Sequence, residues 1–333
     1  MNSFGTLYKL AIFGESHGPA VGITVDGCPA GISLSADDFS SDIERRKGGI
    51  QKGTTPRTEA DIPVLLSGVF NGKTTGAPLT IIFENSNTRS SDYEKQRSIP
   101  RPGHADFVAS QKFGGYEDYR GGGHFSGRLT VCLVAAGVIA KKLLSVYGDI
   151  NCQATLIEAG AEKDIEAGLQ KAIDAKDSIG GIVECRVNGL PIGLGEPFFN
   201  TLESLISHAV FAIPAIRGIE FGTGFAAASM FGSDHNDALE DKSGKTRTNH
   251  AGGVVGGLTN GNELVFRVAV KPTSSTPKEQ HSLNIETGKM EDFSVKGRHD
   301  LCIALRVPVV LEAVTACVLA DMLLQSQAIK RIG

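Results

Sequence analysis

The chain has 333 residues, of which 41% are hydrophobic and 21% are charged, and its formal net charge is −4. This composition is typical of a globular protein with a large core, and the small net charge gives no reason to expect a nucleic-acid partner. We expect no leader segment and no apolar run of membrane-spanning length, and therefore predict a cytoplasmic protein without a membrane partner. The six cysteines form no C-x-x-C pair, so we predict neither a disulfide framework nor a metal site.

The first predicted elements surround the sequence GESHG at residues 14–18. Residues 8–13 form a short apolar strand, and the alternation of residues 21–25 predicts a second strand that ends in a turn at Asp26 and Gly27. The letters G-x-S-x-G match the nucleophile elbow of serine hydrolases, but an elbow needs a helix after the serine. We therefore favour a strand–turn–strand loop, in which His17 is a better candidate for acid–base chemistry than Ser16 is for a nucleophile.

Helices and strands alternate along the rest of the chain. Residues 34–48 predict a helix that begins with a capping box of Ser35 and Asp38, and residues 59–85 predict two strands joined by a turn at Asn71 and Gly72. Two long, mostly apolar helices are predicted at 128–146 and 309–327, and a polar amphipathic helix at 164–176. This pattern favours an α+β fold in which buried helices lie between sheets, as a single domain over residues 1–333.

Several segments rich in glycine or arginine are candidates for chemistry. Residues 45–57 contain five basic residues and no acidic one, which suits either capping of a helix dipole or an anion site. RPGHADF (101–107) fixes a histidine near an arginine, and DYRGGGHFSGRLT (118–130) leads a glycine-rich turn into a helix, as in a phosphate cradle. VKGRHDLCIALR (295–306) brings Arg298, His299 and Asp300 together, either as a structural ion pair or as a carboxylate base. GTGFAA (222–227) resembles a dinucleotide loop, but glycine and aspartate follow too soon for a long helix, so we reject that interpretation.

Taken in order, these motifs resemble those of the chorismate synthase family. The matching segments are FGESHG (13–18), TTPRTEADI (54–62), SGVFNGKTTGAPL (67–79), RPGHAD (101–106), RGGGHFSGR (120–128), GLGEP (193–197), NHAGGVVGG (249–257), KPTSS (271–275) and GRHD (297–300). They span nearly the whole chain.

The resemblance implies a reaction and a fold. It implies the anti 1,4-elimination of phosphate from 5-enolpyruvylshikimate 3-phosphate to give chorismate, the last step of the shikimate pathway. The reaction needs reduced FMN without net redox change, since the flavin lends an electron as phosphate leaves and recovers it afterwards. The implied fold is a β-α-β sandwich with helices layered between antiparallel sheets, assembled as a homotetramer.

The resemblance also implies roles for individual residues. His17 would protonate the leaving phosphate, His104 would stabilise the reduced flavin, and Asp300 would assist proton removal. The substrate-binding positions are Ser16, Arg46, Arg101, Ser126, Arg128 and Arg298. The FMN-binding positions are His124, Phe125, Ser126, Ala215, Gly256, Lys271, Pro272, Thr273, Ser274, Ser275 and Arg298. Arg46 and Lys52 are further candidates for binding NADP. We see no extra domain in the sequence that could be a dedicated reductase, so we predict that an external flavin reductase reduces FMN, with NADPH as an indirect reductant.

One departure from the family pattern lies beside the flavin positions. Many members have Arg-Ser-Ser after the triple glycine, where this chain has His124, Phe125 and Ser126. Two other functional classes stay open at this point, namely a serine hydrolase built on Ser16 and a non-catalytic module that binds a phosphorylated ligand.

Overall fold

The computed structural model describes residues 2–49, 52–55, 59–86, 97–295 and 299–328. In chain order its strands are β1 (Ser3–Phe4), β2 (Lys9–Gly14), β3 (Ala20–Asp26), β4 (Val64–Ser67), β5 (Val69–Phe70), β6 (Lys73–Thr74), β7 (Leu79–Glu84), β8 (Asn151–Ala159), β9 (Gly181–Asn188), β10 (Ile216–Phe221), β11 (Val254–Val255), β12 (Leu258–Thr259), β13 (Leu264–Val270), β14 (Gln280–Asn284) and β15 (Lys289–Phe293). Its α-helices are α1 (Ser40–Arg46), α2 (Asp106–Phe113), α3 (Thr130–Tyr147), α4 (Ile165–Ala175), α5 (Leu202–Val210), α6 (Gly232–His235) and α7 (Val307–Ala328).

Two antiparallel sheets form the outer layers. One has the strand order β1-β2-β3-β7-β4 and the other has the order β10-β13-β9-β8. Three two-stranded hairpins, β5–β6, β11–β12 and β14–β15, lie outside these sheets. The alternating burial of β13, in which every second residue from Leu264 to Val270 is buried, turns one face of its sheet inward.

Helices α3 and α7 form the middle layer. Helix α3 packs against β3 and β7, helix α7 packs against β8 and β9, and the two helices pack against each other. They approach closely at Gly137, where an added Cβ would lie only 2.2 Å from the Cβ of Ala313. The predicted β-α-β sandwich, with buried helices between antiparallel sheets, is therefore confirmed.

Helix α7 is buried on nearly all sides, including two acidic side chains. Glu312 accepts hydrogen bonds from Arg45, Lys141 and the backbone N–H of Ala154. Asp321 accepts bonds from the backbone N–H groups of residues 6–8. Both carboxylates therefore tie the core helix to elements distant in sequence, which satisfies groups that would otherwise be costly to bury.

The expectation of no apolar run of membrane-spanning length was wrong. The segments Gly127–Tyr147 and Ile303–Ala328 are long and apolar enough by composition, but 72% and 89% of their most apolar windows are buried inside the protein. Apolar character on all sides is also what a helix between two sheets requires.

Most predicted elements are confirmed, with one exception. Strands β2 and β3 form the antiparallel pair around GESHG, and no helix follows Ser16. The chain after Gly222 forms only a short 3-10 turn, which agrees with rejection of the dinucleotide loop. Residues 59–85 contain four strands and not two, because Gly68 has a φ of 83° and its position leaves no room for a Cβ beside Leu79. Asn71 and Gly72 do form a turn, but it joins the short strands β5 and β6.

Candidate active site

A cavity of about 520 Å³ opens where both central helices begin. This volume is within the ~300–1,000 Å³ typical of small-molecule sites. The predicted residues that line it are Arg46, Arg101, His104, His124, Phe125, Ser126, Arg128, Ala215, Lys271, Pro272, Thr273, Ser274, Ser275 and Asp300. The fold thus brings together segments that are more than 250 residues apart in the chain.

One wall of the cavity is a pair of arginines joined by Asp61. Arg46 at the end of α1 donates to Asp61 Oδ2 at 3.3 Å, and Arg128 before α3 donates to Asp61 Oδ1. Arg46 also donates to Thr130 Oγ1 and to the carbonyls of Gly127 and Arg128. Most of its five N–H donors are therefore held by the protein, so Arg46 contributes a fixed charge and few free donors.

The ionisation of this cluster follows from burial and mutual interaction. Burial and the cations Arg306 and Arg128 lower the pKa of Arg46 to about 9, although Asp61 acts in the opposite direction. Burial alone would raise the pKa of Asp61, but Arg46 and Arg128 outweigh it and hold that pKa below its usual value. At neutral pH the cluster therefore consists of two cations and one anion, with one positive charge left over.

The RPGHAD turn supplies a second cluster. Arg101 donates to both carboxylate oxygens of Asp106, at 2.7 and 2.8 Å, and to Ser275 Oγ at 3.0 Å. His104 Nδ1 lies 2.5 Å from Asp106 Oδ1. Burial would raise the pKa of Asp106, but its bonds to Arg101 and His104 hold that pKa well below its usual range.

The three consecutive glycines make room for two histidines. All three have positive φ, and a Cβ on Gly121 would lie 2.2 Å from His17 Nδ1. A Cβ on Gly122 would lie 3.2 Å from His104 Nε2. The sequence predicted an anion cradle here, and the structure adds a steric reason, since a side chain at either glycine would displace an imidazole.

The side chains of His17 and Ser16 lie against Gly121 and are not among the cavity-lining residues. Ser16 is fully buried, its backbone N–H donates to the Gly123 carbonyl, and its Oγ has no hydrogen-bond partner among the described residues. A serine nucleophile needs a base at hydrogen-bond distance, so this geometry argues against the hydrolase interpretation.

Asp300 lies at the start of the segment that leads into α7. Its Oδ1 accepts from the backbone N–H of Thr55 and its Oδ2 accepts from Arg306 Nη1, both at 2.9 Å. Arg306 Nε in turn donates to the Arg46 carbonyl at 2.8 Å. These bonds connect Asp300 to the wall formed by Arg46 and Arg128.

Another part of the cavity lining follows strand β13 and contains Lys271. Its Nζ donates to Ser274 Oγ at 2.6 Å and to the Gly103 carbonyl at 3.0 Å, and it meets no carboxylate among the described residues. Burial and the nearby Arg217 lower its pKa. Thr273 Oγ1 is buried and lacks a hydrogen-bond partner within the same described part of the chain. A cation without a carboxylate and an unsatisfied hydroxyl suit an anionic ligand group.

His124 and Phe125, which follow the triple glycine, both line the cavity. His124 Nδ1 lies 2.8 Å from the carbonyl of Gly14, so this nitrogen must carry the proton, because a carbonyl only accepts. Phe125 is 42% exposed and faces the cavity beside Ser126, which caps the turn before α3. An apolar ring therefore forms part of the cavity surface next to the Ser126 hydroxyl.

Besides Ser16 and His17, two predicted residues in the described part of the chain, Lys52 and Gly256, are not among the cavity-lining residues. Lys52 donates to Gln170 at 2.8 Å, and Gly256 lies in the exposed turn between β11 and β12. Arg298 lies outside the described residues. The roles assigned to these positions stay predictions.

Sequence reasoning missed Asp61, Asp106 and Arg306. Asp61 and Asp106 were inside the matching motifs, and Arg306 was inside a segment chosen for its charge. The available signal was a carboxylate five residues after Arg101 and another fifteen after Arg46, but sequence spacing alone does not reveal such pairing.

The charges of the described lining residues favour an anionic ligand. Six are basic (Arg46, Lys47, Arg101, Arg128, Lys271 and Arg306) and three are acidic (Glu59, Asp61 and Asp300). Among the described residues, no group of three histidine, cysteine or acidic side chains has the arrangement of a metal site. The groups present are suited to anion binding and proton transfer.

The chain is similar to known proteins over its full length. The chorismate synthase family model matches residues 8–324. The chorismate synthase of Chitinophaga pinensis is 70% identical, over 100% of this chain and 99% of that protein. That of Dehalococcoides mccartyi is 43% identical over 99% of each chain. A crystal structure of chorismate synthase superposes with a TM-score of 0.74 at 25% identity, covering 97% of this chain and 93% of the other.

The fold and the cavity define an enzyme that acts on a small-molecule substrate. The chain belongs to the chorismate synthase family. Its activity is that family's, a carbon–oxygen lyase of aromatic biosynthesis.

Proposed function

We propose that the cavity binds 5-enolpyruvylshikimate 3-phosphate beside reduced FMN, and that the chain catalyses anti 1,4-elimination of phosphate to give chorismate. The observation that carries the proposal is the pair of cationic positions in one cavity, the Arg46–Asp61–Arg128 cluster and Lys271. The substrate and the cofactor both carry phosphate, and two separate positive positions suit their simultaneous binding.

The residues present fit the flavin. Lys271 and the unsatisfied Thr273 hydroxyl would hold the FMN phosphate, together with Ser274 and Ser275. Phe125, Pro272 and Ala215 would contact the flat ring, with His124 and Ser126 nearby. When bound, reduced FMN supplies an electron that assists phosphate departure and is returned as the ring hydrogen leaves.

The chain's own residues bind, orient and transfer protons. Arg46 and Arg128 would orient the substrate's anionic groups, with Arg101 and Ser126. His17, which lies against the cavity-lining Gly121, would give a proton to the leaving phosphate. Asp300, held by Thr55 and Arg306, would assist removal of the ring proton. His104, held against Asp106, would lie beside the flavin ring and stabilise the reduced form of the cofactor.

Anaerobic phosphate release tests this proposal. The protein is mixed with substrate and either dithionite-reduced or oxidised FMN, and phosphate and chorismate are measured. We expect equal amounts of both products with reduced FMN and none with oxidised FMN. Binding of substrate without turnover under reducing conditions would favour the non-catalytic module. Ester cleavage that is lost in Ser16→Ala would favour the hydrolase.

We further propose that the flavin is reduced by an external flavin reductase, with NADPH as the indirect source of electrons. Most donors of Arg46 are engaged within the protein, and Lys52 is held by Gln170. These contacts favour an external reductase over direct use of NADPH at these two residues. Turnover by pure protein with NADPH and oxidised FMN alone would contradict this part of the proposal.

We also propose that the chain forms a homotetramer in the cytoplasm. Four phenylalanine side chains are each at least 80% exposed in the single chain, namely Phe198, Phe199, Phe225 and Phe231. Large apolar side chains exposed in this way support an interface between subunits. Light scattering coupled to size-exclusion chromatography should give the mass of four chains. Phe225→Ser combined with Phe231→Ser should lower that mass, whereas Phe70→Ser on the β5–β6 hairpin serves as the control. A monomeric unsubstituted protein would contradict the assembly.

A further inference from the structure

The carboxylate of Asp106 accepts hydrogen bonds from two other residues of the RPGHAD turn, Arg101 and His104. Asp106 is the first residue of α2, and its side chain folds back to accept the Arg101 backbone N–H at 3.2 Å as well as the Arg101 guanidinium. His104 Nδ1 completes the set at 2.5 Å from Oδ1. Four donor contacts from two residues leave this carboxylate little freedom to move.

An ionised carboxylate can only accept hydrogen bonds. Because Asp106 Oδ1 accepts from His104, the imidazole must carry its proton on Nδ1. Whenever the ring carries a single proton, its lone pair is therefore on Nε2. This nitrogen lies beside Gly122, where a Cβ would be 3.2 Å away. Arg101 Nη2 lies against the edge of the ring, 3.3 Å from Nε2 and 3.1 Å from Nδ1.

We propose that Asp106 is a positioning residue that fixes His104 as the Nδ1–H tautomer and so leaves Nε2 as the nitrogen that exchanges protons at the cavity. Arg101 contributes by holding Asp106 in place through both carboxylate oxygens. The importance of this for turnover rests on the proposed function, but the tautomer itself does not.

The tautomer can be read without substrate or flavin. Protein with ¹⁵N-labelled histidine is examined by long-range proton–nitrogen NMR at about pH 8.5, above the ordinary histidine pKa of ~6.5. Spectra of His104→Gln identify the His104 signals among those of eight histidines. We expect a protonated Nδ1 and an unprotonated Nε2 in the unsubstituted protein. A proton on Nε2, or on both nitrogens, would overturn the proposal whatever the variants do.

Asp106→Asn then tests the cause. An amide places an NH₂ group against a donor of either Arg101 or His104, so the Nδ1–H form should lose its preference and the Nε2–H form should appear. With substrate and reduced FMN, kcat should fall about 10- to 100-fold, as for other residues that orient a functional histidine, with a smaller change in KM. An unchanged tautomer in folded Asp106→Asn would contradict the proposal.

A matched control is available on the β14–β15 hairpin, where His281 Nδ1 lies 2.6 Å from Asp292 Oδ1 in an exposed pair. Asp292→Asn should alter the His281 signals only and leave turnover unchanged. If the His104 tautomer is as expected but the unsubstituted protein releases no phosphate, the proposed function fails and the tautomer assignment stands.

Discussion

Arg46 and Arg128 are joined through a single buried carboxylate, with one oxygen of Asp61 on each guanidinium. All three side chains are less than 5% exposed. The carboxylate therefore offsets the repulsion that would otherwise separate two cations placed side by side for anion binding.

Asp61→Asn should destabilise the fold. It removes the anion between two buried cations, and losing one partner of such a pair typically costs about 3–5 kcal/mol. Urea unfolding measures the difference. Asp26→Asn, at an exposed turn, is the control and should stay within about 0.5 kcal/mol of the unsubstituted protein. If the free energy of unfolding of Asp61→Asn were also within about 0.5 kcal/mol of that of the unsubstituted protein, the two arginines would not need the carboxylate.

His17→Ala and His104→Ala should each lower turnover by roughly 10²–10⁴-fold, the usual effect of losing a group that transfers or directs a proton. Anaerobic chorismate formation with reduced FMN measures this effect, and His281→Ala on the exposed hairpin is the control. Near-normal turnover in either variant would remove that histidine from the mechanism.

Gly121→Ala should impair catalysis for a steric reason. Its Cβ would lie 2.2 Å from the His17 ring, so the imidazole must move. Gly115→Ala is a matched control, because Gly115 also has positive φ (81° against 61°) but no atom lies within 4 Å of an added Cβ. Both variants should lose about 1–2 kcal/mol of stability from the backbone conformation. Only Gly121→Ala should lose activity. If the two variants were equally active, the close packing of Gly121 against the His17 ring would not matter for catalysis.

Glu312→Gln should change how stability depends on pH. Burial raises the pKa of Glu312, but Arg45, Lys141 and the Ala154 N–H outweigh it, so the folded pKa is lower than the unfolded one. Such a carboxylate stabilises the fold above the unfolded pKa of about 4.3, and this contribution is lost as pH falls through the lower folded value.

The free energy of unfolding, followed by denaturant titration from about pH 7 down to pH 3.5, should therefore fall less steeply in Glu312→Gln. The exposed Glu279→Gln should retain the original dependence. Identical slopes in Glu312→Gln and the unsubstituted protein would mean that this carboxylate titrates alike in both states.

The layered fold could be predicted because its main signals are local. The apolar residues on all sides of α3 and α7 required burial, and the alternation after Gly18 identified β3. The division of residues 59–85 into four strands could not be predicted from the sequence. It arises because Gly68 bends the chain so that it passes close to Leu79, and this contact exists only in the folded structure.

Residue type and motif predicted many of the residues that line the cavity, but they did not predict how these residues pair with one another. Arg46, Arg101, Arg128 and Asp300 were identified, yet each is held by a group, Asp61, Asp106 or Arg306, that was not chosen. An arginine in a motif indicates anion binding, but its partner depends on how distant elements pack. Glu312 shows the same limit, because its neighbours in the apolar helix α7 give no indication that it pairs with Arg45 and Lys141.

The close approach of α3 and α7 at Gly137 has a consequence for protein engineering. Both helices begin at the cavity, one just after Arg128 and the other just after Arg306, so the separation of the helix axes also sets the separation of these two cations. A bulkier residue at Gly137 would push the two helices apart, and so shift Arg128 and Arg306 from within the apolar core without altering any side chain that lines the cavity. Libraries aimed at new substrates should therefore vary the helix interface together with the pocket.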